Sequence, residues 1–494
     1  MEPSIAGILI CCGLFAAASF TEAPVVVALM ASLAFGSTAI MTLPALGGSS
    51  PLIFVVFLIA LFVTVALRRN VVSELGTVFA QQPLAWLVLF LTLYTVIGAL
   101  VLPRMFEGQT QVFIPLRSAS EAGRIAEVPL APVTGNVTQA LYFVVSALSF
   151  FAFSVLLLQR STLRAIRNGF FACAGLHAGL GFIDLFGKVA GLGDVLAPVR
   201  SASYAMLTNA NVIGFWRIAG GYSEASGFGA MTVSLLAFTF VYWRKTSNRL
   251  ALWLWVALLS LLVLSTSSTA YVASALLLVV VTFSITSAAL QDRLRTQDLL
   301  ILAVACMAVV GAFGVALHNA EALEPFTRLF DAMIVNKSLS DSGTERAYWN
   351  WRSLQSVVDT VGLGVGIGSS RASSWIIAVA SQLGVVGTLI IGWLTAEIVR
   401  GVRSRSSGDT DYEHWATANS VRAACLAGLV TASISGGEAD PGIRFYIALA
   451  VIFSFRRLAL AGLGHDQRAP RFAFPAAGDE IAARGNALAP RRRS

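Results

Sequence analysis

The residues best placed to do chemistry include an arginine and a carboxylate in the stretch NVIGFWRIAGGYSEASGFG (211–229). Arg217 and Glu224 flank Gly220 and Gly221 where this stretch meets an apolar run. Glycines permit close backbone approach or a sharp turn, and a carboxylate at the edge of a bilayer is costly without a partner or a role. Two interpretations follow: an Arg217–Glu224 ion pair that closes the loop, or two groups that face a ligand.

A second arginine, Arg346, lies in SGTERAYWNWRSLQSVV (342–358), which forms an amphipathic helix at 100° per residue. The polar face holds Glu345, Arg346, Trp349, Arg352, Ser353 and Ser356, and the opposite stripe holds Ala347, Trp351, Leu354 and Val358. Arginine forks suit phosphate oxygens, and the faces of Trp349 and Tyr348 suit sugar rings. The alternative is an interfacial helix that uses Trp as an anchor and Arg for lipid headgroups.

The stretch GLGVGIGSSRASSW (362–375) places glycine at every second position before Ser369, Ser370 and Arg371. It follows a helix and has no βαβ unit around it, so it is not a nucleotide-binding loop. Either it lets the two serines and Arg371 approach a ligand, or its glycines serve only to pack tightly against neighbouring helices.

Other polar residues lie within or between apolar runs. The stretch STSSTAYVASA (265–275) opens with five hydroxyl residues at 265–269, which either cap a helix or line a polar floor. His177, Asp184 and Lys188 share one helix face, and Asp184 and Lys188 have the i,i+4 spacing of an ion pair. That face is either functional or internally neutralised. No metal site is predicted, and without a Walker loop ATP is not an expected cofactor.

Composition decides what must position these residues. The 494-residue chain is 56% hydrophobic and 12% charged, with mean hydropathy +0.76, whereas soluble domains carry about 25% charged residues. Apolar runs of the length that crosses a bilayer recur. They predict an all-α polytopic membrane protein with about 12–13 transmembrane helices. The predicted spans are 4–20, 24–46, 51–67, 84–102, 137–158, 169–190, 227–243, 250–265, 269–288, 299–317, 372–397, 420–436 and 442–459.

Charge predicts the orientation. Basic clusters such as RRN (68–70), RKTSNR (244–249) and RGVRSR (400–405) all fall between spans on one side, which marks the cytoplasmic face. The N-terminus is then outside and the C-terminus cytoplasmic. The long loops near 103–136, 191–226 and 318–371 lie on the outer face. Residues 1–460 are predicted to form a single integral membrane domain, and 461–494 a basic cytoplasmic tail that is disordered.

Five motifs in order, RIAGGYSEASGFG, STSSTAY, TERAYWNWRSL, GLGVGIGSS and SQLGVVGTLIIGWL, resemble the O-antigen ligase and polymerase superfamily of bacterial inner-membrane glycosyltransferases. The resemblance covers roughly residues 205–395. It implies a type-C glycosyltransferase-like fold with large periplasmic loops and a polyprenyl-pyrophosphate-linked oligosaccharide as donor, with no metal or other cofactor. By position, Arg217 and Arg346 match two loop arginines that matter for activity in the family.

The resemblance favours a polymerase over a ligase. Ligases usually carry a histidine shortly after the glycine segment, where this chain has SSRASSW, and Glu224 with Ser226 matches a Glu-x-Ser pattern common in polymerases. Repeat units would be joined into exopolysaccharide or O-antigen, with a chain-length regulator as a candidate partner and no nucleic acid. The predicted catalytic residues are Arg217, Glu224 and Arg346. The predicted substrate-binding residues are Tyr348, Trp349, Arg352, Ser369, Ser370 and Arg371.

Two alternatives remain. One is an O-antigen ligase that transfers the chain to a lipid A core or another acceptor. The other is a flippase or transporter for lipid-linked oligosaccharides, which would account for the many helices and for His177, Asp184 and Lys188. Transporters usually concentrate polar residues at the midplane, in broken helices. Here they concentrate on the predicted outer face, which favours chemistry there.

Overall fold

The computed structural model is 71% helical. It describes residues 2–43, 48–115, 125–159, 161–204, 206–209, 211–212, 215–292, 294–318, 331, 341–402 and 409–466. The helices in these ranges are α1 (Ile5–Ala18), α2 (Pro24–Ser32), α3 (Ile53–Ala66), α4 (Val71–Gln81), α5 (Pro83–Met105), α6 (Thr134–Leu156), α7 (Ser161–Val189), α8 (Ala225–Thr246), α9 (Arg249–Leu264), α10 (Ser268–Leu290), α11 (Thr296–His318), α12 (Asp341–Asp359), α13 (Trp375–Arg400), α14 (Asp409–Ser435) and α15 (Ile443–Asp466).

Six helices in the described part of the chain are long and apolar enough to cross a membrane: α5, α6, α7, α8, α10 and α13. The pair α3 and α4, bent by 100°, makes a seventh if it counts as one span. Helices α1 and α9 and the stretch Thr296–Met307 are apolar but shorter. The coarse prediction, an all-α polytopic membrane protein, is confirmed. By length and composition, the number of spans among the described residues is lower than the 12–13 predicted.

The distribution of apolar side chains fits a lipid surround. In α10 only 11% of the apolar window is buried, and Phe283 is 74% exposed. In α15, by contrast, residues from Tyr446 to Ile452 are almost completely buried. Helix α15 therefore lies inside the bundle, and α10 presents apolar side chains outward, which a bilayer tolerates and water does not.

Contacts between loops fall into two groups that match the predicted sides. One group joins residues predicted to be cytoplasmic: Arg164 with Glu22, Arg167 with Glu413, Arg244 with Asp298, and Arg295 with Tyr412. The other joins residues predicted to be outside: Ser4 with Ser201, Ser50 with Ser203, and Arg346 with Ser435. These contacts form two separate groups, and which group faces the cytoplasm stays a prediction.

The predicted span 24–46 is interrupted, since α2 ends at Ser32. Beyond it, Ser37 and Thr38 are buried, and their hydroxyls donate to the carbonyl oxygens of Gly221 (2.9 Å) and Val199 (2.7 Å). The chain leaves the helix because these polar side chains find partners in the 191–226 loop. This correction makes the segment after α2 a support for that loop.

Helix α4 was not predicted. It follows α3 after a sharp turn closed by an Arg68–Glu74 ion pair at 2.9 Å, and it buries Val78. The segment connects two spans on the predicted cytoplasmic side. A hydropathy pattern misses it because its apolar residues cover one face only.

The loop predicted at 103–136 contains an antiparallel hairpin of strands β1 (Gln111–Pro115) and β2 (Ile125–Pro129), in which Phe113 pairs with Glu127. Two smaller pairings join Glu2–Pro3 with Met41–Thr42 and Asn211–Val212 with Phe215–Trp216. The hairpin is the part that bears on the site, because it faces α12.

The chain divides into two compact units, Met1–Phe455 and Arg456–Ser494. Helix α15 continues to Asp466, past the predicted boundary at 460. Residues 467–494, which hold most of the predicted tail, lie outside the described residues.

The glycine segment is a packed element. The φ angles of Gly362, Gly364, Gly366 and Gly368 lie between 80° and 83°, a left-handed region that favours glycine. A Cβ at Gly368 would lie 2.3 Å from the carbonyl oxygen of Gly135, and one at Gly364 would lie 2.7 Å from the amide nitrogen of Gly384. The positive φ angles and the close contacts with neighbouring backbone thus explain why these positions are glycine. This geometry is that of the packing interpretation.

Gly368→Ala should lower the thermal midpoint of the detergent-purified protein, because the new Cβ meets both a positive φ and a backbone oxygen. The expected loss is about 2 kcal/mol or more. Gly392→Ala is the matched control, since a Cβ there meets nothing within 4 Å. Fluorescence-detected size exclusion after heating measures both. Equal midpoints for the two variants would contradict the packing role.

Candidate functional site

The 191–226 loop is anchored by one buried carboxylate, Asp184 in α7. Its Oδ2 accepts hydrogen bonds from Lys188 Nζ (2.9 Å) and from the amides of Ala219 (2.8 Å) and Gly220 (3.1 Å). Its Oδ1 accepts from Arg200 Nη2 at 2.9 Å. The predicted i,i+4 pair with Lys188 therefore forms, but as part of a larger network that holds loop backbone.

The two cations of this network also hold the loop. Lys188 Nζ donates to the carbonyl oxygen of Arg217 at 2.7 Å. Arg200 donates to the carbonyl oxygen of Gly220 and pairs with Asp194 at 2.5 Å. The carboxylates of Asp184 and Asp194 thus balance the charges of Lys188 and Arg200. Hydrogen bonds to backbone amide and carbonyl groups fix the chain on both sides of Ile218.

Asp184→Asn should unfold the 191–226 loop, because it leaves Lys188 and Arg200 with one carboxylate between them. Removing one partner of a buried ion pair costs about 3–5 kcal/mol. The control is Glu22→Gln, whose pair with Arg164 is largely exposed and should change stability little. Limited proteolysis within 191–226 and the thermal midpoint report the effect; a wild-type cleavage pattern in Asp184→Asn would contradict it.

Arg217 belongs to this fixed backbone, and its side chain has no carboxylate partner in the part of the chain that the structure describes. No carboxylate oxygen of the described residues lies within 4.0 Å of its guanidinium, so the predicted Arg217–Glu224 ion pair does not form. Its Nε is shielded from solvent and has no hydrogen-bond partner in the described part of the chain. Burial lowers the pKa of the Arg217 guanidinium, with Glu224 acting to raise it and Arg346 to lower it. Glu224 and Arg346, the other two predicted catalytic residues, therefore both lie within electrostatic range of Arg217.

Glu224 immediately precedes α8. Its carboxylate accepts a hydrogen bond from the hydroxyl of Ser226, so the two polar residues of the Glu-x-Ser pattern contact each other. The segment is held by a bond from the amide of Leu207 to the carbonyl oxygen of Ser223 at 2.7 Å. A carboxylate at a helix N-terminus is also favoured by the helix dipole. Glu224 is thus a positioned anion within electrostatic range of Arg217.

Arg346 reaches the site from α12, which contains the whole of the predicted helix 342–358. Its Nη1 donates to Ser435 Oγ at 3.2 Å. The helix is oriented with Ser353 and Ser356 buried, whereas Trp351 is 57% and Val358 77% exposed. The polar face therefore points into the protein, and the apolar stripe is left outward, where lipid would cover it.

Tyr348 and Arg352 share one partner in the hairpin. Glu127 accepts hydrogen bonds from Tyr348 Oη (2.9 Å) and from Arg352 Nε (3.1 Å). Trp349 packs against Phe113 with ring centroids 6.1 Å apart. Three predicted substrate-binding residues thus fix α12 to the hairpin, and the charge of Arg352 is already paired.

The remaining three predicted residues follow the glycine segment. Ser369 is buried, and its hydroxyl donates to Val365 and accepts from Asn136. Ser370 Oγ accepts from the amide of Phe113 at 3.3 Å. Arg371 donates its amide to the carbonyl oxygen of Phe113 at 2.9 Å, while its side chain is exposed. The two serines are used in packing, and Arg371 alone among the three presents a charged group outward.

A segment that the sequence reasoning missed lies at the centre of these elements. The connector between α14 and α15, residues 436–442, packs against Arg371, since a Cβ at Gly437 would lie 2.8 Å from Arg371 Nε. It carries Glu438 and Asp440, and Asp440 accepts from Ser146 Oγ (2.8 Å) and the amide of Gly442 (2.9 Å). The available signal was GGEADPG, two carboxylates among glycines and a proline between two apolar runs.

Two other predicted polar sets have structural partners. Ser267 Oγ accepts a hydrogen bond from the amide of Ala270 at the start of α10, which is the capping geometry. His177 Nε2 lies 2.8 Å from Thr232 Oγ1, and the imidazole stacks on Phe228. Ser267 therefore caps α10, and His177 contributes to packing between α7 and α8.

Metal ligands do not gather in the described residues, which contain no group of three or more His, Cys, Asp or Glu side chains able to hold an ion. Neither a scan against protein-family models nor a search of curated proteins gives a match to this chain. The site is therefore interpreted from its own geometry.

Asp440 should make stability depend on pH. Desolvation raises its pKa to about 6, and the negative charge of Glu438 adds to the rise. Because the folded-state pKa lies above the ordinary value, the folded protein favours the protonated carboxyl, and this stability is lost as pH rises toward and through 6. Asp440→Asn should remove that loss, so its thermal midpoint should gain on wild type between pH 5 and pH 7. Parallel midpoints across this range would contradict the assignment, and Glu438→Gln should shift the transition to lower pH.

Proposed function

We propose that the protein polymerises polyprenyl-pyrophosphate-linked oligosaccharide repeat units into exopolysaccharide or O-antigen at the periplasmic face of the bacterial inner membrane. The observation that carries the proposal is that Glu224 and Arg346, from segments far apart in sequence, both lie within electrostatic range of Arg217. Two cations with one carboxylate leave an excess of positive charge. Such a cluster suits an anion of the pyrophosphate class.

The proposed reaction is a glycosyl transfer. A hydroxyl of one lipid-linked saccharide attacks the anomeric carbon of another, a new C–O bond forms, and the bond to polyprenyl pyrophosphate breaks with its electron pair on the departing oxygen. Negative charge therefore grows on the leaving group. Arg217 and Arg346 stabilise that charge, because preorganised donors in a partly dry site act strongly on developing charge.

Glu224 is the proposed base. Its carboxylate accepts the proton of the attacking hydroxyl, and the bond from Ser226 orients the carboxylate for this task. The loop that carries Glu224 and Arg217 is held by Asp184, Lys188 and Arg200. The base and one cation are thus fixed by the same support.

The α12 helix and the hairpin form the proposed saccharide side. Trp349, Tyr348 and Arg352 are held against Phe113 and Glu127, so an aromatic surface is presented at a fixed orientation. The exposed side chain of Arg371, beside the 436–442 connector, supplies an additional cation in this proposal. Ser369 and Ser370 would act through the backbone they hold.

We also propose that the protein has a type-C glycosyltransferase-like fold with 12–13 spans and a cytoplasmic C-terminus. The two groups of loop contacts support alternate placement of successive loops on opposite sides. Short helices such as α1 and α9 would then cross the bilayer as part of the bundle. The catalytic charge stabilisation is assigned to arginines, with no metal required.

A ligase and a flippase remain the alternatives, and they differ from a polymerase in product. A ligase would place chains on a lipid A core or another acceptor. A flippase would form no glycosidic bond. The saturated hydrogen bonding of Asp184 supports an enzyme over a transporter here, because a proton or ion relay needs a carboxylate that can exchange partners.

Arg346→Ala and Glu224→Gln should each reduce polymer formation by roughly 10²–10³, the usual effect of removing one electrostatic contact to a transition state. Each variant is expressed at the wild-type level in a strain that lacks the chromosomal copy, and polymer length is read on gels. Arg104→Gln is the matched control, since Arg104 is an exposed arginine at the outer end of α5. Wild-type polymer from either site variant would remove that residue from the mechanism.

A further inference from the structure

A separate arginine lies deeper in the bundle, at the start of α15, whose next two turns are enclosed. Arg444 occupies the first turn of α15, and the residues that follow it, from Phe445 to Ile452, are at most 1% exposed. Neither the proposed catalytic cluster nor the sequence motifs include it. A cation at this position requires an explanation, since charged side chains inside a membrane bundle are costly and usually functional.

The contacts of Arg444 are too few for its five N–H donors. Its Nη1 lies 3.3 Å from the sulfur of Met231 in α8, which is a weak acceptor. Its guanidinium also lies beside Gly428 of α14, at 3.5 Å from the position a Cβ would take. Within the part of the chain that the structure describes, the thioether is its one polar partner.

No carboxylate balances this charge among the described residues. The charge of Arg444 acts on Cys173, His177, Tyr222 and Cys425. None of these side chains is an anion near neutral pH at its ordinary pKa. The carboxylate nearest in sequence, Asp440, is bound by Ser146 and Gly442. With respect to the described residues, the guanidinium therefore keeps unused donors and an uncompensated charge.

The position also separates this cation from the catalytic cluster. Met231 follows Glu224 by seven residues, which places it two turns deeper on the same face of α8, about 10 Å along the helix axis. The thioether contact therefore sets Arg444 well below Glu224. The proposed reaction joins two lipid-linked molecules, and each brings its own pyrophosphate into the protein.

We propose that Arg444 binds the phosphate or pyrophosphate group of a second lipid, with polyprenyl pyrophosphate of the other substrate as the expected ligand. The assignment rests on the proposed function for the identity of that lipid, and on the unpaired guanidinium for the site itself. A forked guanidinium binds phosphate oxygens through paired N–H donors. Gly428 leaves the space beside the fork that a side chain would otherwise fill.

The test measures lipid binding to the full-length protein purified in detergent. Native mass spectrometry counts bound polyprenyl pyrophosphate in wild type, Arg444→Met, Arg444→Lys and Arg346→Gln, with polyprenol as the uncharged probe. Wild type should bind two pyrophosphate lipids. Arg444→Met should bind the second at least about tenfold more weakly, the effect of losing hydrogen bonds to a charged group, while Arg444→Lys should keep part of the affinity. Arg346→Gln should weaken the other site.

The thermal midpoint separates binding from folding. Because Arg444 has no carboxylate partner in the described residues, Arg444→Met without added lipid should melt at or above the wild-type temperature; a lower midpoint would assign Arg444 to structure and overturn the proposal. Undiminished binding of the second lipid by Arg444→Met would also overturn it. Titration with phosphatidylglycerol identifies the source of the phosphate, since equal competition at this site would assign it to bulk phospholipid. Arg444-dependent binding in a wild-type protein that makes no polymer would defeat the proposed function alone.

Discussion

The buried carboxylate of Asp184 is the constraint on which the site depends. It accepts bonds from two cations and two backbone amides, and those cations in turn hold the carbonyl oxygens of Arg217 and Gly220. The charges in this network are satisfied internally, so its contribution is to geometry. Because the backbone beside Arg217 is fixed and its neighbours are already paired, the guanidinium lies within range of Glu224 and Arg346 and has no ion-pair partner among the described residues.

The second constraint is the glycine segment. Four left-handed glycines let the chain between α12 and α13 pack against backbone of α6 and α13, and the segment ends where the amide of Arg371 pairs with the hairpin. This packing holds the base of α12 close to the membrane helices. Arg346 can then reach Ser435 at the end of α14, and Tyr348, Trp349 and Arg352 can reach the hairpin.

Much of the fold and part of the candidate site could be predicted from the sequence. The predictions that were wrong have physical causes. Hydropathy gave the membrane class, and the 100° periodicity gave α12 and its polar face. The 24–46 span failed because the partners of Ser37 and Thr38 lie more than 160 residues away. The Arg217–Glu224 ion pair failed because spacing in sequence does not set side-chain direction. The role of the serines was undetermined because hydroxyls bind ligand or backbone equally well. Glu438, Asp440 and Arg444 were missed because each follows from a tertiary contact, and no local pattern marks them.

We propose that Arg217 and Arg346 act on a lipid pyrophosphate during glycosyl transfer. It is tested most directly by mixing the purified protein with polyprenyl-pyrophosphate-linked repeat units in detergent, with no second compartment, and by counting the free polyprenyl pyrophosphate released. The expected product is polymer attached to polyprenyl pyrophosphate, with one free polyprenyl pyrophosphate released for each new glycosidic linkage. If the protein binds the repeat units but forms no polymer and releases no polyprenyl pyrophosphate, the proposed glycosyl transfer is contradicted and transport is favoured.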